Sequence, residues 1–400
     1  MHPLKARRLK PSDYQKLLRG LVCSLLFWAG AAIQPASARM LSAADRAALD
    51  RLVQTEMDQQ KLTGLALGVV QNGDIAYLQG YGWADLKNRR AVNLRSRFRW
   101  ASVSKPVTAL LSLQLAEQGR LNLDTPIHHW LPGYQNAMGW PVNQRQLLSH
   151  QAGVGHYPEI SDWASRLQTY RQSIKAASAT DDYRDLSQDM PAVVQAIISG
   201  QPLLFRPGTG YHYTSLGYLL AGATVAAAGQ APYLQQFQQR IAAPLGLTSM
   251  QPDTGNPGLN ERVAGYYLDE QGQVQTQTQR NISWKLAGGG FSSNVYDMTR
   301  LMQAMLRHEL IQPRTSEHMW TPQTLSTGKG THYGLGVSVW QGRQPNGLPL
   351  RRIGHMGAQA AVRSDLQFWP EQNFGLVLLS NSEWADLAPL RNKIYVLLNA

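Results

Sequence analysis

The 400-residue sequence predicts an α+β protein in which one antiparallel sheet is built from both ends of the chain. Apolar runs typical of strands lie at 65–81, near the amino end, and at 333–380, near the carboxyl end. Between them, the pattern from about 99 to 315 is mostly helical. This order favours a single sheet flanked by helices, with a mostly helical inserted region and a cleft where the two parts meet.

The first 38 residues have the pattern of a signal peptide. A basic segment precedes an apolar run at 21–33, and Ala36-Ser37-Ala38 offers a small-x-small cleavage site. Because this run is shorter than the about 20 residues of a membrane span, no stable span is expected after cleavage, with an uncleaved anchor as the alternative. The sequence therefore predicts a signal peptide at 1–38, one domain at 39–400, and a periplasmic or otherwise exported protein.

Composition excludes several classes of site. The only cysteine, Cys23, lies in the predicted signal peptide, so disulfides, thiolate metal sites and a cysteine nucleophile are excluded from the exported chain. Export without disulfides favours a bacterial cell envelope. The formal net charge is +12, but no dense run of lysine and arginine follows the signal, and no nucleic-acid partner is predicted.

The polar segment 43–60 predicts the first helix, and the apolar runs 65–71 and 75–81 predict two strands. Asn72-Gly73-Asp74 between these runs is a strong signal for a hairpin. The Gln- and Thr-rich segment 271–279 is predicted to be a surface loop. Near the carboxyl end, four more strands are predicted at 333–340, 350–354, 362–369 and 374–380. A closing helix is predicted at 383–398.

A Ser-x-x-Lys motif joins Ser102 to Lys105 at the start of a helical pattern that ends at Gly119. Residues three apart share a helix face, so the lysine would stand beside the serine hydroxyl. A serine is a weak nucleophile without an adjacent base, and a buried lysine can lose its proton and supply one. A second match, Ser326 to Lys329, lies in a polar loop without a helix and is not predicted to be a site.

Two further segments carry candidate residues. Tyr213-Thr214-Ser215 follows Pro207-Gly208, and a tyrosine near a lysine can lose its proton at a lower pH than usual and act as a base. His355-Met356-Gly357 follows the strand predicted at 350–354, where a basic residue on a sheet edge can line a cleft. The alternative for both is structural: a packed tyrosine with a satisfied hydroxyl and a structural histidine.

In this order, the three segments resemble the motifs of the serine β-lactamase and penicillin-binding-protein superfamily. The resemblance is greatest to its class C-type branch, which includes D,D-peptidases, D-aminopeptidases and carboxylesterases. Three other stretches are similar to that branch: Leu147–Gly153, Phe205-x-Pro207-Gly208, and Gly289-Gly290-Phe291-Ser292-Ser293 with Asp297. The resemblance spans about 43 to 400, and an ordered set of motifs is more specific than any one of them.

The resemblance implies a β-lactamase-like catalytic domain at 39–400 that works through an acyl-enzyme. Ser102 would be the acylated nucleophile, and Lys105 and Tyr213 would share the proton transfers. The backbone N–H groups of Ser102 and Ala358 would form the oxyanion hole. The cleft would also be lined by Ser215, His355 and Gly357. No metal or organic cofactor is implied, and the expected partner is a small ester or amide, or a peptidoglycan-type peptide.

Two departures from the family pattern affect the expected substrate. Ser215 stands where the family usually has asparagine, and a hydroxyl offers fewer hydrogen bonds than an amide. His355 stands where β-lactamases usually have lysine, and a histidine is mostly neutral at pH 7. Arg351 or Arg363 would be the source of a replacement charge, although both are expected at the surface. Carboxylesterase or D-amino-acid peptidase activity is therefore ranked above class C-like β-lactamase activity.

A different class of function also remains open: a non-catalytic envelope protein of this fold that binds or senses cell-wall fragments. The complete set of Ser102, Lys105 and Tyr213 favours the enzyme. Rival hydrolase frameworks lack their motifs, since neither Gly-x-Ser-x-Gly nor His-Glu-x-x-His occurs. Specificity is expected to come from 154–200, which carries His156, Tyr157, Trp163, Tyr170 and Tyr183.

Overall fold

The computed structural model describes residues 41–160, 162–175, 185–187, 189–256, 258–259, 261–344 and 346–399. The predicted signal peptide at 1–38, with Cys23, lies outside these ranges. Within them the α+β prediction is confirmed, since a large antiparallel sheet is flanked by helices. No helix in these ranges is long and apolar enough to span a membrane.

The strands of the described chain are β1 (Gly64–Gln71), β2 (Asp74–Asp85), β3 (Arg90–Ala91), β4 (Phe98–Arg99), β5 (Gln251–Pro252), β6 (Gly265–Leu268), β7 (Val274–Gln277), β8 (Phe291–Ser293), β9 (Ser338–Arg343), β10 (Pro349–Gln359), β11 (Val362–Trp369) and β12 (Phe374–Ser380). The α-helices are α1 (Ala43–Gln60), α2 (Lys105–Glu117), α3 (Gln144–Leu148), α4 (Trp163–Lys175), α5 (Met190–Ile197), α6 (Leu216–Ala228), α7 (Tyr233–Phe237), α8 (Ala243–Leu245), α9 (Leu286–Gly289), α10 (Val295–Leu306), α11 (Pro313–Met319) and α12 (Leu387–Asn399).

The main sheet joins the two ends of the described chain. Its seven strands run in the order β3-β2-β1-β12-β11-β10-β9. β1 pairs antiparallel with β12, from Leu65 opposite Ser380 to Val70 opposite Gly375. The predicted hairpin joins β1 to β2. Its turn has positive φ at both Asn72 and Gly73, as a tight hairpin turn requires.

Both faces of the sheet are covered, so β12 is buried along its whole length and β1 and β11 along nearly all of theirs. On β1, Leu65, Leu67 and Val69 pack into a core with α1 and α12. The alternate residues Ala66 and Val70 face the larger core under α10. Because side chains alternate along a strand, a run that is apolar at every position can be buried on both sides.

The helical region brings α2, α6 and α9 together with little space between their backbones. Every residue of α6 except Ala227 is buried. A Cβ on Gly222 would lie 2.5 Å from Ala287, and a Cβ on Gly288 would lie 2.8 Å from the carbonyl oxygen of Ser215. Glycines at these positions therefore let α9 lie directly against α6.

Three predicted boundaries and one predicted loop were wrong. The apolar run from Tyr333 is buried, but its chain turns at Gly336 (φ +80°) and the strand covers only Ser338–Arg343. The strand predicted to end at 354 continues to Gln359, so His355 lies inside it. The predicted loop 271–279 contains β7, paired with β6 in an exposed hairpin that has no apolar alternation to reveal it. The last helix begins at Leu387.

The inserted region is also not helical throughout. A small sheet in the order β4-β8-β5 lies within it, directly before and beside Ser102. Its strands have two or three residues each, which is too short for a periodic pattern in the sequence. The first two of these strands hold the chain immediately before Ser102.

We predict that Asp297→Ala destabilises the fold by about 2–4 kcal/mol, because buried donors lose a charged acceptor. Asp297 is 1% exposed, and its carboxylate accepts hydrogen bonds from the N–H and hydroxyl of Ser249 and the N–H of Met250. Urea unfolding followed by circular dichroism measures the change. Asp269→Ala, at the exposed turn of the β6–β7 hairpin, is the control. Equal effects of the two substitutions would contradict the role of Asp297.

Candidate active site

Ser102 lies in a one-turn 3₁₀ helix, Ala101–Ser104, that leads directly into α2. The preceding residue, Ala101, has a left-handed backbone with φ +48°. The turn is held on both sides: the Trp100 N–H donates to the carbonyl of Phe291, and the Ser364 hydroxyl donates to the carbonyl of Trp100 at 2.6 Å. Ser102 is therefore fixed where the main sheet meets the helical region.

Lys105 is fully buried, and its Nζ lies 2.9 Å from the Oγ of Ser102. The same Nζ lies 3.1 Å from the Oγ of Ser215 and donates to the carbonyl of Gly288 at 2.8 Å. Burial, and then the positive charge of Lys285, hold the pKa of Lys105 well below its usual range. The neutral amine is therefore favoured, and a neutral amine can accept the proton of the serine hydroxyl.

Tyr213 lies on the other side of Ser102, and its hydroxyl donates to the Oγ of Ser102 at 2.7 Å. The Nζ of Lys105 lies 4.8 Å from the centre of the tyrosine ring. Burial raises the pKa of Tyr213, although the hydrogen bond to Ser102 opposes the rise. The prediction that this tyrosine loses its proton more easily was wrong, because the nearby lysine is itself held neutral and burial disfavours a phenolate.

His355 lies on β10 and is 5% exposed. Its Nδ1 lies 2.6 Å from the carbonyl oxygen of Met356, which can only accept, so Nδ1 carries the ring proton. The unprotonated Nε2 therefore accepts a hydrogen bond from the Tyr333 hydroxyl at 2.9 Å. Burial, together with the charge of Lys105, lowers the pKa of His355 to about 3. The ring is therefore uncharged at neutral pH.

Gly357 brings β10 against the Ser102 turn. A Cβ at this position would overlap the carbonyl oxygen of Trp100 and the hydroxyl of Ser364, so only glycine allows this approach. β9 pairs with β10 only as far as Gly354, which leaves the edge from His355 to Gln359 without pairing to β9. Ser102, Gly357 and Ala358 line one cleft of about 730 Å³ along this edge.

The structure thus brings together all seven residues that the sequence singled out: Ser102, Lys105, Tyr213, Ser215, His355, Gly357 and Ala358. Ser215 joins the group at the start of α6. The second Ser-x-x-Lys match lies apart, and the hydroxyl of its Ser326 donates to the carbonyl of Gly208.

Several cleft residues were missed from the sequence. Tyr211, Tyr333, Arg352 and Arg391 also line the cleft. No motif marks them, and a buried tyrosine such as Tyr333 has the same pattern as an ordinary core residue.

Of the two arginines considered as a charge source, Arg351 forms ion pairs with Glu317 and Glu371. Arg363 lines the cleft and is only partly buried. Its side chain donates to the carbonyl oxygens of Gln359 and Val362, so the strand turn beside it holds the guanidinium in place.

His150, from the Leu147–Gly153 stretch, lies behind Tyr213. Its ring is 4.4 Å from the ring of Tyr213 and 4.7 Å from that of Tyr333, and its Nδ1 accepts the N–H of Thr214 at 3.2 Å. Burial holds the pKa of His150 well below its usual value. This neutral ring therefore packs against and supports the tyrosines that face Ser102.

Only part of the predicted specificity region reaches the site. Burial raises the pKa of Tyr157, and hydrogen bonding with Ser215 partly opposes this rise. Trp163 packs on Tyr157 at 4.9 Å between ring centres, and His156 lies 6.4 Å from the ring of Tyr213. Tyr170 is buried in the core, and Tyr183 lies outside the described residues.

A family model described as Beta-lactamase matches residues 49–398, so the chain belongs to the β-lactamase family of serine hydrolases. Serine beta-lactamase-like protein LACTB, mitochondrial, of Homo sapiens is 23% identical over 87% of this chain and 76% of that protein. Esterase EstB of Burkholderia gladioli is 30% identical over 60% of this chain and 59% of EstB. The structure of a D-stereospecific amidohydrolase from Streptomyces sp. shares the fold, with a TM-score of 0.68 and 22% identity over 87% of this chain and 98% of that one.

We predict that His355 makes the fold sensitive to acid. Above the unfolded pKa of about 6.5 it is neutral in both states; as the pH falls from there towards 3, only the unfolded chain takes up the proton, so the free energy of unfolding decreases. Urea unfolding at pH 7 and pH 5 should show a loss that is about 2 kcal/mol smaller in His355→Gln than in the wild type. An equal loss in both proteins would contradict the low pKa of His355.

Proposed function

We propose that this chain is an exported hydrolase that cleaves an ester or amide bond through an acyl-enzyme on Ser102. The observation that carries the proposal is the position of the Ser102 hydroxyl between two groups that can move its proton. Lys105 Nζ lies 2.9 Å from the Oγ on one side, and the Tyr213 hydroxyl lies 2.7 Å from it on the other. Both distances are within the range for direct proton transfer.

The pKa directions assign different steps to the two groups. Neutral Lys105 takes the proton of Ser102 as the Oγ attacks the substrate carbonyl. Tyr213, which is protonated at neutral pH, donates its proton to the leaving alcohol or amine as the ester or amide bond breaks. The proton that Lys105 took from Ser102 then passes to the tyrosine oxygen. In the second half of the reaction, the proton transfers run in reverse. Tyr213 passes its proton to Lys105 and takes one from the attacking water, and Lys105 returns a proton to the Oγ of Ser102 as the acid leaves. The N–H groups of Ser102 and Ala358 stabilise the oxyanion in both steps.

The cleft favours ester or D-amino-acid amide substrates over β-lactams. Uncharged His355 lacks the positive charge with which a lysine would hold the β-lactam carboxylate. Ser215 offers one hydroxyl to the substrate amide, where an asparagine offers two donors and an acceptor. The names of two similar proteins, an esterase and a D-stereospecific amidohydrolase, support the same substrate classes. Class C-like β-lactamase activity and non-catalytic binding of wall fragments are the alternatives.

We predict that Ser102→Ala abolishes hydrolysis of p-nitrophenyl butyrate, because no other group can form the acyl-enzyme. The substitution removes only one hydroxyl, so the thermal midpoint should change by less than about 2 °C. A rate assay and a thermal melt on the same preparation test both parts. Ser326→Ala, in the second Ser-x-x-Lys match, is the control and should hydrolyse the ester at the wild-type rate. Full activity in Ser102→Ala would refute the proposal.

We predict that kcat/KM for a chromogenic cephalosporin stays below about 10⁵ M⁻¹s⁻¹, which is within the ordinary range of enzymes. The reason is the missing cation opposite Tyr213, at the position of His355. The assay is run beside p-nitrophenyl butyrate on the same enzyme. A cephalosporin value above that limit, with the ester poorly hydrolysed, would establish the β-lactamase alternative. A failure to hydrolyse either compound would favour the non-catalytic alternative.

A further inference from the structure

A second cavity, of about 430 Å³, lies beyond the end of the catalytic cleft. It is lined by cationic and amide side chains of four separate segments: Arg99, Gln277, Arg280, Lys285 and Gln359. None of the residues assigned to the chemical steps lines it. Its position and its charge suggest which part of a substrate it would hold.

The cavity is aligned with Ser102 by β10. His355, Gly357 and Gln359 are alternate residues of β10, so they lie on one face of the strand. Each is about 7 Å from the next along the strand. The first of them contacts Tyr333, and the second packs against the backbone before Ser102. The third, Gln359, accepts a hydrogen bond from Lys285. Lys285 therefore lies past the Ser102 turn, on the side away from His355.

Lys285 has unused hydrogen-bonding capacity at this point. Its Nζ donates to the Oε1 of Gln359 at 2.9 Å and lies 6.0 Å from the ring centre of Tyr157. An ammonium group has three donors, and Lys285 forms no ion pair with a carboxylate of the described residues. The Nε2 of Gln359 is buried without a hydrogen-bond partner. Two donors thus meet here without an anion.

The surrounding charges are unbalanced. Asp253 is the carboxylate whose charge acts on Lys285. Both of its oxygens already form ion pairs, one with Arg99 at 2.6 Å and one with Arg262 at 2.7 Å. Lys285 is therefore a third cation beside a single anion. Burial lowers the pKa of Lys285 to about 8, so the side chain still carries its charge at neutral pH.

We propose that Lys285 and Gln359 form a subsite that binds a carboxylate carried by the acyl part of the substrate. The inference rests on the proposed function, because it takes Tyr213 to face the leaving group and so assigns the opposite end of the cleft to the acyl group. The ammonium of Lys285 supplies the charge, and the amide N–H of Gln359 gains the acceptor that it lacks. Esters of dicarboxylic acids are then better substrates than neutral esters of the same length.

The test compares two p-nitrophenyl esters with the same leaving group. One is the half ester of glutaric acid, which ends in a carboxylate, and the other is the pentanoate, which ends in a methyl group. The ratio of their kcat/KM values at pH 7 is measured for the wild type and for Lys285→Met. Loss of the charge should lower this ratio at least about tenfold, mainly through KM of the half ester. The pentanoate serves as the internal reference for any change in the chemical step.

Three further variants separate charge from packing. Lys285→Arg keeps the cation and should keep most of the preference for the half ester, whereas Gln359→Leu removes the second donor and should lower it by a smaller factor. Lys329→Met, in an exposed loop, removes a positive charge elsewhere and should leave the ratio unchanged. A ratio that is the same in the wild type and in Lys285→Met, or that falls equally in Lys329→Met, would overturn the subsite.

The same experiment distinguishes failure of the subsite from failure of the proposed function. If Ser102-dependent hydrolysis of the pentanoate is observed without preference for the half ester, the subsite is wrong and the hydrolase remains. If neither ester is hydrolysed, the proposed function fails, and calorimetric binding of glutarate then decides on the subsite alone. Glutarate that binds the wild type but not Lys285→Met would support it, and equal binding or no binding to both would overturn it.

Discussion

The rest of the site depends on one buried group, the side-chain amine of Lys105. It lies within hydrogen-bond distance of Ser102, Ser215 and the carbonyl of Gly288, and the last two are 110 and 183 residues away along the chain. One nitrogen therefore fixes the distance between the Ser102 turn, the start of α6 and α9. A charged amine in this position would have exchanged its hydration for hydrogen bonds to uncharged groups only, which does not repay the cost of burying the charge. The fold therefore favours the neutral form that the proposed chemistry needs.

Close backbone packing makes this burial possible. Gly288 allows α9 to approach Ser215, and Gly357 allows β10 to approach the chain before Ser102. A side chain at either position would move one wall of the site away from Lys105. Behind Tyr213, neutral His150 fills the space between the tyrosine rings. The site is thus held by packing and by uncharged contacts, and this is why its titratable groups have pKa values far from those in water.

The sequence predicts the fold class and the members of the site better than the pKa of the groups or the limits of the strands. The β1–β2 hairpin follows from local turn chemistry at Asn72-Gly73, and the Ser102–Lys105 contact follows from helical spacing. The length of β10 and the position of Tyr333 depend on packing against distant segments, for which the local sequence has no signal. The pKa of Tyr213 depends on how completely distant segments bury it, and this too is a property of the assembled fold.

The positions of His355 and Lys285 differ in charge, and this difference gives the proposed substrate an orientation. Opposite Tyr213 lies the neutral ring of His355, so a leaving group meets no cation at that position. At the other position, Lys285 keeps a charge that Asp253 cannot neutralise, because two arginines already share that carboxylate. The position of the cation along a cleft determines which half of a substrate should carry the negative charge. In the proposed subsite, Lys285 lies on the side of the acyl group, whereas the uncharged His355 occupies the position opposite Tyr213.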